Sequence, residues 1–233
     1  MQLDARTRLF IILAGIFSTC LIIGDVTGAK LVTPSVFAHE FGLTTVGMIP
    51  FPVTFLLTDV LNEFYGKRAA RFVTLYGFGL ALLAYSFIFI AGAVPIAALT
   101  KEPGWTGVTE GAFNTVFLGS RQMILASLSA YLVGQFVDIG VFNALKRATG
   151  SRFIWLRATG STLVSQLIDT LVVSIIAWNG QLTAEKIKTV VVTNYTLKLL
   201  IAIGLTPVIY AIHAALERWL GLKPVALELK AAE

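Results

Sequence analysis

Hydrophobic residues gather along this chain in six long stretches separated by short polar breaks. They fall at roughly residues 9–24, with room to continue to about 31, then 46–64, 72–96, 119–145, 156–178 and 189–216. Each approaches the ~20 residues that take a helix across the hydrocarbon core of a bilayer, the first being the shortest unless extended. The pattern predicts an all-α integral membrane protein. Its expected architecture is a bundle of six transmembrane helices forming one domain over residues 1–233.

The polar residues inside these stretches are more informative than the apolar ones. Residues 51–71 read FPVTFLLTDVLNEFYGKRAAR. Asp59, Asn62 and Glu63 stand at i, i+3 and i+4, on one helical face, with Phe55 one turn before them. The stretch breaks at Gly66 and exits through Lys67, Arg68 and Arg71. An aspartate at the centre of a membrane helix costs about 3 kcal/mol on insertion scales, so something must offset the charge or use it. The fourth stretch carries Ser127, Tyr131, Gln135 and Asp138. The fifth carries Arg157, Ser161, Ser165, Gln166 and Asp169, and the sixth Asn194, Tyr195 and Lys198. Lipid satisfies none of these groups, so they must face one another or water. A single polar residue is often glue between helices. Aligned stripes on four helices point to a central polar cavity, with structural pairing as the alternative. The fourth and fifth stretches also echo each other, QFVDIGVF against QLIDTLVV, each a Gln-x-x-Asp. Four matched letters fit either an internal repeat or chance.

Composition agrees with a membrane setting. Of 233 residues, 56% are hydrophobic and 13% charged, and the mean hydropathy is +0.81. Soluble domains carry about 25% charged residues. The net charge of +5 reflects basic loops rather than a nucleic-acid partner. With both termini inside, twelve lysines and arginines fall in cytoplasmic segments against four outside, which predicts an N-in, C-in multi-pass protein. No cleavable signal is expected at the start. The single cysteine, Cys20, excludes an internal disulfide and reads as a small buried residue. Two loops exceed what connection needs. Residues 33–47, with Pro34, His39 and Glu40, suit either a lid that dips into the protein or an ordinary external loop. Residues 98–118, with KEPGWTG, suit a solvated external loop. Gly204 and the Thr206-Pro207 pair are expected to bend the last helix.

The donor and acceptor set narrows the ligand. It holds carboxylates, carboxamides, hydroxyls and one central lysine, without the histidine or cysteine spacing of a metal site. His39 and His213 read as packed or interfacial residues. A carboxylate accepts two parallel hydrogen bonds from adjacent N–H donors, as a guanine-type edge offers, and a glutamine meets a neighbouring carbonyl or ring nitrogen. Phe51, Phe55, Tyr131 and Trp178 suit stacking on a flat ring, or lipid-facing and core positions. Lys198 is a partner for Asp169 or Asp138. The set suits a flat, polar, largely uncharged heterocycle better than an inorganic ion or a fatty molecule.

On these residues the chain resembles the queuosine precursor transporter family, also called vitamin uptake transporters. The resemblance rests on FPVTFLLTDVLNEFYGKRAAR, AYLVGQFVDIGVF, WLRATGSTLVSQLIDT and the last stretch with Lys198 and TPVIY, and it covers roughly residues 8–215. It implies a bacterial inner-membrane protein that takes up 7-deazaguanine precursors of queuosine, chiefly 7-cyano-7-deazaguanine or its aminomethyl relative. It places the family's acidic motif on Asp59, Asn62 and Glu63. Its Gln-x-x-Asp falls on Gln135 and Asp138, and its Arg…Ser…Gln-x-x-Asp on Arg157, Ser161, Gln166 and Asp169. Its lysines fall on Lys198 and Lys30. Asp25 stands where the family suggests an amide.

The expected function is therefore a carrier for a deazapurine base. Asp138 and Asp169 are expected to hold the base edge and Gln135 and Gln166 to orient it. Asp59, Asn62, Glu63, Arg157, Ser161, Lys198, Phe55 and Tyr131 complete the expected binding set, with Lys30 and Asn194 as outer candidates. Glu63 or Asp59 is the candidate for gaining and losing a proton. No cofactor and no metal are expected. The expected partners are a small nucleobase-like substrate, the lipid bilayer and a second copy of the chain, with the apolar third stretch as the candidate dimer face. Two alternatives remain at this stage. One is a substrate-capture subunit that depends on a separate energy-coupling motor. The other is an intramembrane enzyme using two aspartates as a dyad.

Overall fold

In a computed structural model, the described residues are 4–28, 30–33, 35–36, 39–40, 44–118, 121–150, 153–180 and 182–225. Pro34, Gly119 at the start of the fourth stretch, and Arg152 and Lys230, two of the twelve basic residues assigned to cytoplasmic segments, lie outside them, as do the side chains of His39 and Glu40. The chain is an all-α membrane protein with a small hairpin. In order it forms α1 (Ala5–Thr27), β1 (Leu31–Val32), β2 (Ser35–Val36), β3 (His39–Glu40), β4 (Thr44–Thr45), α2 (Phe51–Phe64), α3 (Gly66–Ala93), α4 (Glu110–Phe117), α5 (Arg121–Ala148), α6 (Ile154–Trp178) and α7 (Ala184–Leu220).

Five of these helices, α1, α3, α5, α6 and α7, are long and apolar enough to cross a membrane. Their outer faces carry exposed large apolar residues, such as Ile12 on α1, Phe72, Phe87 and Ile90 on α3, and Ile175 on α6. In water such a surface is a liability; in lipid it is matched to its solvent. The helix α2 is different. Its 14 residues span only about 21 Å at 1.5 Å per residue, less than the hydrocarbon core. The full crossing expected at 46–64 thus starts as a 3₁₀ turn, Val46–Met48, before the helix begins at Phe51. Every residue from Leu57 to Phe64 is buried, so α2 lies inside the bundle rather than on its lipid face.

The core explains this placement. Phe17 and Leu21 of α1, Leu57 and Leu61 of α2, Val73 and Tyr85 of α3, and Leu128 and Ile139 of α5 pack as one apolar cluster. A smaller cluster joins Phe142, Ala158 and Ile209 across α5, α6 and α7. Tyr65 ends α2, and Gly66 turns the chain into α3 at φ +82°, a conformation that glycine adopts without steric cost.

The antiparallel pair α5 and α6 forms the most extensive helix contact. Small residues permit the approach: a Cβ on Gly134 would sit 3.3 Å from Asp169 Cβ, and one on Gly160 would sit 2.9 Å from Leu145. Ser165 Oγ donates to Asp138 Oδ1 at 3.1 Å. This register sets the two Gln-x-x-Asp segments side by side, each aspartate at the level of the other's glutamine.

The loop of residues 33–47 folds back on α1. Leu31 pairs with Thr45 and Val32 with Thr44, and inside them Ser35 pairs with Glu40 and Val36 with His39. A Cβ on Gly47 would meet the Gly24 carbonyl at 2.7 Å, so the base of the hairpin seats directly on the α1 backbone. The region 98–118 is exposed, as expected, but holds a 3₁₀ turn and α4, capped by Thr109 accepting from Ala112 N. The bend expected at Gly204 and Pro207 does not interrupt α7, which runs through them as one helix. Past Gly221 the chain returns to the bundle, and Val225 N donates to the Glu63 carbonyl at 2.8 Å.

Candidate functional site

A cavity of about 210 Å³ opens at the end of the bundle where α1 and α6 finish and α5 and α7 begin. The hairpin base, through Leu31, Thr44 and Thr45, and the turn at Gly47 and Met48 form one wall. The start of α2 contributes Phe51, Thr54 and Phe55. The remaining helices contribute Asp25 of α1, then Ser127, Tyr131 and Gln135 of α5, Gln166, Asp169 and Trp178 of α6, and Asn194 and Lys198 of α7. Drug-sized pockets run to about 300–1,000 Å³, so this space suits a compact ligand.

Its polar groups are unevenly satisfied. Lys198 Nζ stands 2.6 Å from Asp169 Oδ2 and 4.6 Å from the centre of the Phe51 ring. Phe51 and Phe55 pack with ring centres 4.4 Å apart. Ser127 Oγ donates to Asp25 Oδ1 at 2.5 Å. Gln135 Oε1 accepts from Thr58 Oγ1 at 3.2 Å. Tyr131 turns its hydroxyl away, donating to the Thr74 carbonyl at 2.9 Å. In contrast, both amide atoms of Gln166, Oδ1 of Asn194, Oγ1 of Thr170 and Oδ2 of Asp25 are buried with no hydrogen-bond partner among the described residues. A buried polar atom left unpaired costs about 1–3 kcal/mol. These five atoms on cavity-lining residues mark the groups that a ligand would satisfy.

The residues singled out from the sequence therefore divide. Gln135, Gln166, Asp169, Lys198, Phe55, Tyr131 and Asn194 line the cavity. Lys30 lies outside it, exposed beside the hairpin, its carbonyl accepting from Val46 N. Asp59, Asn62, Glu63, Asp138, Arg157 and Ser161 sit deeper and are buried. Asp138, expected beside Asp169 at the ligand, instead lies under the cavity against Ser165. Glu63 is held at both oxygens, by Arg157 Nη2 at 2.7 Å and by Lys146 Nζ at 3.1 Å. Arg157, one of the twelve basic residues assigned to cytoplasmic segments, is 1% exposed and part of this cluster. Lys146 also donates to the Val225 carbonyl, and Asn143 Nδ2 donates to Asn62 Oδ1 at 3.0 Å. The deep cluster thus ties α2, α5, α6 and the returning segment after α7 together.

Asp25, Thr54, Ser127 and Thr170 were not among the expected site residues. Ser127 shares a stripe with Tyr131 and Gln135, and Asp25 is the carboxylate inside an otherwise apolar first stretch; both signals were present in the sequence. The excess length of residues 33–47 signalled a lid or an external loop, but not the strands themselves, because two-residue strands have no hydrophobic period to detect.

Comparison with known proteins gives a consistent set of relatives. Residues 45–212 match the family described as "Putative vitamin uptake transporter". A Bacillus subtilis (strain 168) protein named "Probable queuosine precursor transporter" is 34% identical over 173 residues, covering 73% of this chain and 72% of that protein. An Escherichia coli (strain K12) protein named "Queuosine precursor transporter" is 32% identical over 163 residues, covering 69% and 68%. A Haemophilus influenzae protein named "Probable queuosine precursor transporter" is 28% identical over 142 residues, covering 60% and 55%. No solved structure matches the chain.

Proposed function

The chain belongs to the vitamin uptake transporter family and is a multi-pass membrane transporter rather than an enzyme, and on that premise we propose that it takes up a queuosine precursor, 7-cyano-7-deazaguanine first, across a bacterial inner membrane. The observation that carries this reading is the α6 wall of the cavity. There Gln166, with both amide atoms unpaired, stands one turn from Asp169, which Lys198 engages at one oxygen. The ring N–H and amino group of a 7-deazaguanine meet the carboxylate, while its carbonyl and ring nitrogen meet the amides of Gln166 and Asn194. Phe51, Phe55 and Trp178 offer the flat faces. Lys198 holds the Asp169 carboxylate in place and offsets its charge. Arg6 and Arg8 of α1, Lys67, Arg68 and Arg71 of α3, and Lys146 and Arg147 of α5 gather at the opposite end from the cavity, against Lys30, Arg121, Lys186 and Lys188 at the cavity end, a bias that supports the N-in orientation.

The test is binding of 7-cyano-7-deazaguanine to the purified protein and to Asp169→Asn and Gln166→Ala. Loss of a hydrogen bond to a charged group costs about 1.5–3 kcal/mol, so Asp169→Asn is expected to bind roughly ten- to a hundred-fold more weakly. Equal binding by a folded Asp169→Asn removes the base-edge role. Uptake into vesicles that contain this chain alone then separates a carrier from a capture subunit: accumulation supports the carrier, and binding without uptake supports dependence on a motor.

A further inference from the structure

Beneath the cavity floor lie two carboxylates that the binding site does not use. Asp59 is 5% exposed and Asp138 0%, and the bond from Thr58, beside Asp59, to Gln135, one turn before Asp138, sets their helix turns against each other. Asp59 Oδ1 and Asp138 Oδ2 are fully buried and have no hydrogen-bond partner among the described residues. Glu63, the third buried acid of this region, is held by Arg157 and Lys146. His213 lies 3.9 Å from Glu63 and 3.4 Å from Glu217. The other charged groups near α2 stand at its ends. Arg6 of α1 donates to the Phe64 carbonyl, Lys67, Arg68 and Arg71 of α3 follow Tyr65, and Lys198 of α7 is paired with Asp169 over Phe51. Arg157 and Lys146 are both bonded to Glu63, so with His213 neutral these two cations stand against three buried acids, and full ionisation of Asp59, Glu63 and Asp138 leaves one negative charge in excess in a buried setting. Such a charge costs several kcal/mol unless a cation joins it.

We propose that Asp59 and Asp138 form a proton-binding site, distinct from the substrate cavity, that takes up one proton together with the substrate. This proposal rests on the functional reading above. The space selects a proton over a metal ion. The void against Asp59 measures about 10 Å³, at the lower limit for a single water. A hard metal cation wants about six oxygen donors, whereas the unpaired oxygens of Asp59, Asp138 and Gln166 number three. A proton shared between two carboxylates needs neither volume nor further ligands.

The link to the substrate is the Gln-x-x-Asp geometry. Gln135 lines the cavity one turn before Asp138 on α5, and it is bonded to Thr58, the neighbour of Asp59 on α2. Gln166 lines the cavity next to Ser165, which donates to Asp138. A ligand that draws on either glutamine therefore moves the residues that frame the carboxylate pair. The proton enters from the water of the cavity and leaves on the opposite side with the substrate, so the pair returns empty.

The experiment is calorimetry of 7-cyano-7-deazaguanine binding to the full chain, in buffers of differing ionisation heat. About one proton is expected to be taken up per ligand at pH values above the titration of the free pair. Affinity then falls about tenfold per pH unit above the titration of the pair, because the complex holds the extra proton. Asp59→Asn and Asp138→Asn are expected to take up none. In proteoliposomes without sodium they keep base-for-base exchange but lose accumulation driven by an acid-outside gradient. No proton uptake by the parent at any pH, or accumulation by the parent that follows sodium and ignores the pH gradient, overturns the proposal. So does equal coupling in both variants, or loss of binding in both while they remain folded. If the parent does not bind the base, the functional reading fails. The infrared carboxylic-acid band then decides the proton site alone: a band that titrates away in the parent supports it, and its absence overturns it. The same parent measurements decide if the variants do not fold.

Discussion

At the scale of single residues, equal chemistry meets unequal surroundings. Asp138 and Asp169 hold the same place in two copies of one motif. One is sealed against Ser165 and the other faces the cavity with Lys198. The cost of removing each buried charge should follow its surroundings. Glu63→Gln removes the carboxylate that Arg157 and Lys146 both bond in the interior, and breaking a buried pair in this way costs about 3–5 kcal/mol. The variant should melt well below the parent in detergent. Asp169→Asn strands only Lys198, whose side chain retains 12% exposure at the cavity edge, and should melt close to the parent. A melting loss in Asp169→Asn as large as that in Glu63→Gln would reverse the division between binding site and structural lock. The sequence exposed both carboxylates, because a charge within a membrane stretch always needs a reason. It did not separate the one that faces a ligand from the one that holds the helices, since that depends on which neighbour fills the facing position. The unpaired amide of Gln166 is visible only once Lys198 and Ser165 are seen to be bonded elsewhere.

At the scale of elements, hydropathy located the long helices well and misjudged the short one. Residues 46–57 are mostly apolar, but Pro50 and Pro52 restrict where a helix can begin, since proline fits only its first turn. The helix therefore starts at Phe51, and the preceding turn lies across α1. The function of that turn depends on Gly47. A methyl group there would meet the Gly24 carbonyl at 2.7 Å, backbone against side chain, with no flexible group able to yield. Gly47→Ala is expected to displace the cavity wall, at a cost of about 1–3 kcal/mol from overpacking. Binding of the base should weaken alongside. Gly79→Ala on α3, where nothing lies within 4 Å, is the matching control and should change neither. If Gly47→Ala binds as the parent does, the hairpin base is a bystander to the cavity.

At the scale of the whole molecule, the two ends of the bundle are built differently. One end holds the cavity, whose wall is a two-residue-strand hairpin. The other is closed by the Glu63 cluster and by the segment after α7, where Val225 bonds both the Glu63 carbonyl and Lys146. The proposed N-in orientation would turn the cavity outward and the lock toward the cytoplasm. The chain carries its own reporter of this asymmetry. Cys20 is the sole cysteine, it is half-buried, and it lines the cavity. A membrane-impermeant maleimide should reach it from the outside of right-side-out vesicles, and bound base should slow the reaction. In inside-out vesicles the same reagent should label slowly. Removing residues 223–233 takes away both Val225 contacts and should raise labelling from the inside while the outside rate changes little. Equal labelling from both faces of the parent would remove the lock, and preferential labelling from the inside would invert the orientation. If truncation leaves the inside rate unchanged, the returning segment does not hold the cytoplasmic end shut, and the Glu63 pairs with Arg157 and Lys146 close it by themselves.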